Sequence, residues 1–111
     1  MRRIKLMPDY FCFPLWDMDE PANVDPQSLP ISAPLRSRLT AWAAEYDSLL
    51  DIDDPASSEW PGEAEQRAFD ERGVALSRAL ARELGSCYAV FYFSESLNRL
   101  VPAERLMAAE P

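Results

Sequence analysis

Histidine is absent from this chain of 111 residues, and several chemistries go with it. A Ser-His-Asp or Cys-His relay cannot be assembled, and no imidazole can act as general base near neutral pH. Glycine is scarce, with three residues. Neither G-x-x-x-x-G-K-[ST] nor G-x-G-x-x-G occurs, so no glycine-rich loop is present to cradle a nucleotide phosphate. The two cysteines, Cys12 and Cys87, do not make a zinc site without histidine. Flanked by Phe11, Phe13 and Tyr88, they read as buried free thiols rather than a disulfide. Long apolar runs are also missing: nothing approaches the roughly 20 residues that span a bilayer. The basic stretch Met1-Arg-Arg-Ile-Lys-Leu-Met7 is interrupted by Pro8 and Asp9 before an export signal of normal length can form, and no small-residue cleavage site follows. The cytoplasm is therefore the expected compartment, and no cofactor is implied.

Positive charge is in short supply as well. Nineteen acidic residues stand against 11 basic ones, a net charge of −8. Such a surface repels nucleic-acid phosphates and anionic lipid head groups, which argues against nucleic-acid and membrane partners, and attracts basic ones. The imbalance is segregated. From Asp17 to Glu71 there are 14 acidic and 3 basic residues, a balance of −11, whereas the remainder has 5 acidic and 8 basic, a balance of +3. If the acidic stretch lies on one face, its field speeds association with a basic surface.

What the chain does hold is ample core material. Forty-eight per cent of its residues are hydrophobic, with 3 Trp, 4 Tyr and 5 Phe, and its length suits one domain over residues 1–111. Arg3 to Met7 alternates as a short strand ended by Pro8. From Tyr10 to Ser32 the prolines at 14, 21, 26 and 30, with Pro34 just beyond, forbid a helix. Tyr10, Phe11, Phe13 and Trp16 make this an ordered loop pinned to the core. A helix follows from about Ala33 to Leu50: Ser32 caps it, Pro34 sits in its first turn, and Leu35, Leu39, Trp42, Tyr46, Leu49 and Leu50 recur at helical spacing. A loop from Asp51 to Gly62 leads to a second helix, about Glu63 to Leu84, which Gly85 terminates. Phe69, Leu76, Leu80 and Leu84 form its stripe. Gly73, mid-helix, costs about 1 kcal/mol relative to Ala, which implies close approach of another element there. Cys87 to Phe93 is the strongest strand signal, apolar on both alternating faces as in a strand covered on both sides, and Arg99 to Val101 returns as a short strand. The fold class is α+β: two main helices packed on a two- or three-stranded sheet formed by the N-terminal and C-terminal strands.

Candidate chemistry centres on the acidic loop. Asp51, Asp53 and Asp54 are hard-cation ligand types, but the EF-hand frame fails, since counting from Asp51 puts Ala56 at its glycine position and Gly62 at its final acidic position. A solvated helix-to-loop junction is the simpler reading. Glu45 with Asp53 is the pair a carboxylate hydrolase would use, with nothing in the spacing to favour it. Trp60 beside Glu59 is either a partner anchor, Trp being enriched at binding hot spots, or a staple closing the loop onto the helices.

The segments Ile4-Lys-Leu-Met-Pro-Asp-Tyr10, Phe13-Pro-Leu-Trp16, Trp42-Ala-Ala-Glu-Tyr-Asp47 and Asp53-Asp-Pro-Ala-Ser-Ser58 resemble a family of small uncharacterised bacterial proteins. In size, acidity and architecture the chain is also similar to bacterial toxin-immunity proteins. The leading expectation is thus a non-enzymatic, acidic protein-binding module, an immunity or inhibitor protein masking a basic toxin or nuclease. Asp47, Asp51, Asp53, Asp54 and Glu59 would meet the partner, with Trp60 as anchor. The alternatives are a small carboxylate-based, metal-assisted enzyme on the Asp51–Asp54 loop, and a homodimeric structural module joined through its last strand.

Overall fold

In the computed structural model, described over residues 1–49, 60, 62–94, 98–103 and 105, the N-terminal strand becomes the centre of a sheet. β1 (Arg2–Leu6), β2 (Leu15–Asp17), β3 (Ala22–Val24), α1 (Ala33–Asp47), α2 (Glu63–Leu84), β4 (Tyr88–Ser94) and β5 (Arg99–Pro102) follow in chain order. The strands form one mixed five-stranded sheet, ordered β3-β2-β1-β4-β5. Its β1–β4 pair is parallel, with Ile4 opposite Val90 and Leu6 opposite Tyr92; the other pairs are antiparallel. A parallel pair needs a long crossover, and α1 and α2 lie within it.

The α+β class holds, but the sheet is larger than the expected two or three strands. The additions, β2 and β3, fall inside the proline-rich segment. Each is three residues long, too short for alternation to register, and Pro14 and Pro21 flank β2 and β3 without removing a ladder donor from their interiors. Pro26 opens a single 3-10 turn, Pro26–Ser28, capped by the Asp25 side chain.

One face of the sheet meets the helices. Ile4, Leu6, Leu15, Val24, Val90 and Tyr92 point into it and join Leu35, Leu39, Trp42, Phe69, Leu76 and Leu80 in one hydrophobic cluster. Among the described residues no helix packs on the opposite face, where Ala89, Phe91 and Phe93 are half-buried and Leu100 is exposed. Among the described residues β4 is thus buried on one face and half-buried on the other, short of the expected cover on both sides. On that second face Lys5 stands in register between Trp16 of β2 and Phe91 of β4.

The helices follow their sequence signals closely. Ser32 Oγ accepts from the Leu35 N–H, with Pro34 in the first turn of α1, and α2 ends at Gly85, whose φ of 73° is one that glycine adopts without strain. α1 stops at Asp47, and Leu50 lies outside the described residues. Three contacts set the helices antiparallel: Ser32 with Glu83, Trp42 with Phe69, and Glu45 with Arg72. Gly73 has the partner its position implied, since a Cβ there would lie 2.6 Å from the Tyr92 hydroxyl oxygen.

Candidate functional site

Antiparallel packing brings the C-terminus of α1 and the N-terminus of α2 to the end of the molecule where β1 and β4 also finish. An aromatic stack fills this end. Trp42 and Phe69 lie nearly parallel, 4.4 Å apart, and the indole N–H of Trp42 donates to the Phe69 carbonyl at 3.0 Å. Tyr46 leans on Phe69, and Tyr10 from the β1–β2 loop stacks on Tyr46 at 4.8 Å. Trp60 packs half-buried against Phe69 with ring centroids 4.7 Å apart. It thus contributes to the stack and still borders solvent.

The β1–β2 loop is held open on the other side of α1. Met7 N–H donates to the Pro14 carbonyl at 2.9 Å, which closes its base. Asn23 then brackets Phe13: its Oδ1 accepts from the Phe13 N–H at 3.0 Å and its Nδ2 donates to the Phe13 carbonyl at 2.6 Å. At the tip, the Phe11 N–H donates to Asp47 Oδ1 at 2.9 Å. Phe11 has φ of 58°, an unusual conformation for a bulky residue. The residue is 73 % exposed and Phe13 47 %. Between this loop and α1 runs a cleft of ≈ 400 Å³ lined by Phe11, Phe13, Asn23, Thr40, Ala44 and Asp47.

A second cleft, ≈ 350 Å³, lies over the helix seam and gathers Glu45, Glu65, Arg72 and Trp60. The Arg72 guanidinium is ion-paired with Glu45 across it. Glu63 and Glu65 occupy the first turn of α2, where carboxylates complement the helix dipole.

Charge is less gathered than the sequence tally suggests. Asp17 pairs with Arg2 at 2.9 Å and Asp19 with Arg3 at 2.7 Å, both at the far end of the sheet where β1 begins. Two members of the acidic stretch are thereby matched by the basic N-terminal strand. Hydrogen bonds from the Glu20 and Asp19 N–H groups and from the Arg2 guanidinium hold the Asp17 carboxyl below its ordinary range; the Arg3 guanidinium, then its backbone N–H, do so for Asp19.

Of the residues singled out for partner binding, Asp47 and Trp60 lie on opposite sides of the α1 C-terminus. Asp51, Asp53, Asp54 and Glu59 lie outside the described residues. Among the described residues no three Asp, Glu or Cys side chains converge as metal ligands, and no helix is long and apolar enough to cross a membrane. The cysteines are free, but Cys12 is half-buried and Cys87 exposed, which corrects their expected burial. Cys12 stands in the open loop and Cys87 in the 3-10 turn Gly85–Cys87, so neither reaches the core. Sequence reading missed the Phe11–Asp47 link, because a residue 36 positions away sets the exposure of that aromatic.

Comparison with protein-family models matches residues 2–95 to CdiI_serr, a family described as Serratia CdiI immunity protein-like. The chain belongs to this family. No curated protein matches it. The CdiI_serr match begins with β1, includes both helices, the braced β1–β2 loop and β4, and ends before β5. The resemblance of type to toxin-immunity proteins is thus supported by a family assignment that spans both clefts.

Proposed function

We propose that this protein is an immunity protein: it binds a toxin in the cytoplasm of the bacterium that makes it and blocks the toxin's action by covering its surface. The observation that carries this reading is the match to an immunity protein-like family over residues 2–95. The chemistry of the chain supports a binding role over a catalytic one. Histidine is absent from the sequence, the Asp17, Asp19, Glu45 and Asp47 carboxylates are engaged in ion pairs or backbone bonds, and Phe11 and Phe13 are exposed.

A basic toxin surface, such as that of a nuclease, is the partner chemistry a chain of charge −8 would select and steer into contact. The acidic loop with Asp51, Asp53, Asp54 and Glu59 would form the negative part of the surface on the Trp60 side of α1, with Trp60 as its aromatic anchor and Asp47 adding charge on the other side. The direct test is protection: the genes flanking this one are searched for a toxin domain, which is expressed in a sensitive host with and without this protein. Rescue of growth with a co-purifying complex is expected; undiminished killing overturns the proposal.

A further inference from the structure

Aromatic side chains on loops of soluble proteins usually fold back, as Tyr10 does on Tyr46. Phe11 and Phe13 do not. They flank the ≈ 400 Å³ cleft on the α1 side of the loop, and the loop is braced by side chains from two other elements, Asn23 of β3 and Asp47 of α1. Phe11 is kept at φ of 58°, where a residue with a Cβ is disfavoured by about 1–2 kcal/mol. A glycine would meet that backbone requirement more easily, so the aromatic ring is present despite the local conformation. Backbone strain held by surrounding structure is a feature of binding and catalytic sites.

Electrostatics narrow the occupant. Among the described residues, the charged side chain lining this cleft is the Asp47 carboxylate, and no lysine or arginine lines it. One oxygen of Asp47 takes the Phe11 N–H, and a carboxylate has lone pairs for further donors. Two exposed rings beside a carboxylate suit a cation with an apolar stem: the rings attract it through their faces and cover its methylenes. Lys5, by contrast, lies in a row with Phe91 and Trp16 on the open sheet face, which makes that face the poorer match for a basic partner.

We propose that the cleft between Phe11, Phe13 and Asp47 receives an arginine or lysine side chain of the toxin, so that this loop, rather than Trp60 alone, is an aromatic anchor of the complex. This rests on the reading of the chain as an immunity protein. Asp47 acts twice in it: it meets the cation and it positions Phe11.

The test uses the full chain and the purified toxin domain identified by the protection test, with affinity measured by calorimetry at low and high salt. Phe11→Gly and Phe13→Ala are each expected to weaken binding at least about tenfold. Phe11→Gly should leave the circular dichroism spectrum intact and raise Tm by about 2–5 °C, because the strained backbone position relaxes. Asp47→Asn should weaken binding and flatten its salt dependence. Leu100→Ala, on the open sheet face, serves as the unchanged control. If the wild type binds and both phenylalanine variants bind as tightly, the cleft proposal is overturned while the immunity reading stands. Failure of the wild type to bind overturns both. Loss of self-association in Phe11→Gly would assign the cleft to a second copy of the chain and also overturn the proposal.

Discussion

Tyr92 lies directly over Gly73, and its hydroxyl, passing the helix where a Cβ would stand, donates to Asp70 Oδ1 at 2.7 Å. The Ser94 hydroxyl donates to the same oxygen at 3.3 Å. One carboxylate on α2 therefore ties down two successive inward residues of β4. Tyr92 is 2 % exposed and belongs to the core cluster, so its ring has little room to yield. Gly73→Ala should destabilise by about 1–3 kcal/mol, although alanine gains about 1 kcal/mol in helix propensity over glycine. Urea unfolding measures the sign. Combining Gly73→Ala with Tyr92→Leu should recover part of the loss as a coupling energy in a double-mutant cycle; strictly additive effects would show that the close approach is not what glycine serves.

Trp42 offers a harsher substitution. It is fully enclosed, stacked on Phe69, and its N–H is satisfied by the Phe69 carbonyl. Trp42→Ala removes the stack and leaves a cavity at the junction of both helices and the sheet, with an expected loss of about 3–5 kcal/mol. Against a typical total of about 5–15 kcal/mol, that leaves the variant marginal at 37 °C. Trp42→Phe keeps a ring over Phe69 and should lose less. Thermal unfolding by circular dichroism ranks wild type, Trp42→Phe and Trp42→Ala in that order.

Much of this fold was legible because its long elements state their own periodicity. Both ends of α2 fall where Glu63 and Gly85 place them, and the close neighbour that a mid-helix Gly73 implies is Tyr92. β2 and β3 were hidden, since three residues cannot establish alternation and the prolines beside them read as loop. Cys12 and Cys87 were misplaced for a related reason: neighbouring aromatics suggest burial only when those aromatics are buried, and Phe11 is not. The charge tally was correct as arithmetic, yet Asp17 and Asp19 answer Arg2 and Arg3 through a hairpin that no local pattern reveals. Asp47 and Trp60, expected from sequence to meet a partner, each line one of the two clefts, whereas the brace that exposes Phe11 depends on tertiary contact.

The start of α1 is held twice. Ser32 Oγ accepts from the Leu35 N–H at 3.3 Å and donates to Glu83 Oε2 at 2.9 Å, while the Ser32 N–H donates to Glu83 Oε1 at 2.6 Å. The same residue thus caps α1 and ties it to the last turn of α2. Ser32→Ala removes the cap and one of the two bonds to Glu83, and should cost about 0.5–2 kcal/mol. Glu83→Gln retains an acceptor for the backbone bond and is expected to be the milder change. Midpoints of urea denaturation for the two variants decide it; equal losses would mean that the charge of Glu83, rather than the cap, carries the junction.

Acid should loosen the sheet from its β1 end. Asp17 is held below its ordinary value of 3.8 by the Glu20 N–H, the Arg2 guanidinium and the Asp19 N–H; Asp19 is lowered by Arg3. A carboxyl whose folded-state pKa lies below its unfolded value binds fewer protons in the native state. Its contribution is then complete above the unfolded pKa, near 3.8, and is lost as pH falls through the lower folded one. Stability from these two groups should therefore be flat from pH 7 to about 5 and decline below about 4. Asp17→Asn and Asp19→Asn variants, titrated by denaturant unfolding between pH 7 and pH 2, should begin lower at neutral pH and show a shallower acid limb. Parallel curves for wild type and the double variant would place the acid sensitivity elsewhere. Raising ionic strength separates the two sources of the shift, because the exposed Arg3–Asp19 pair is screened while the backbone N–H bonds to Asp17 are not.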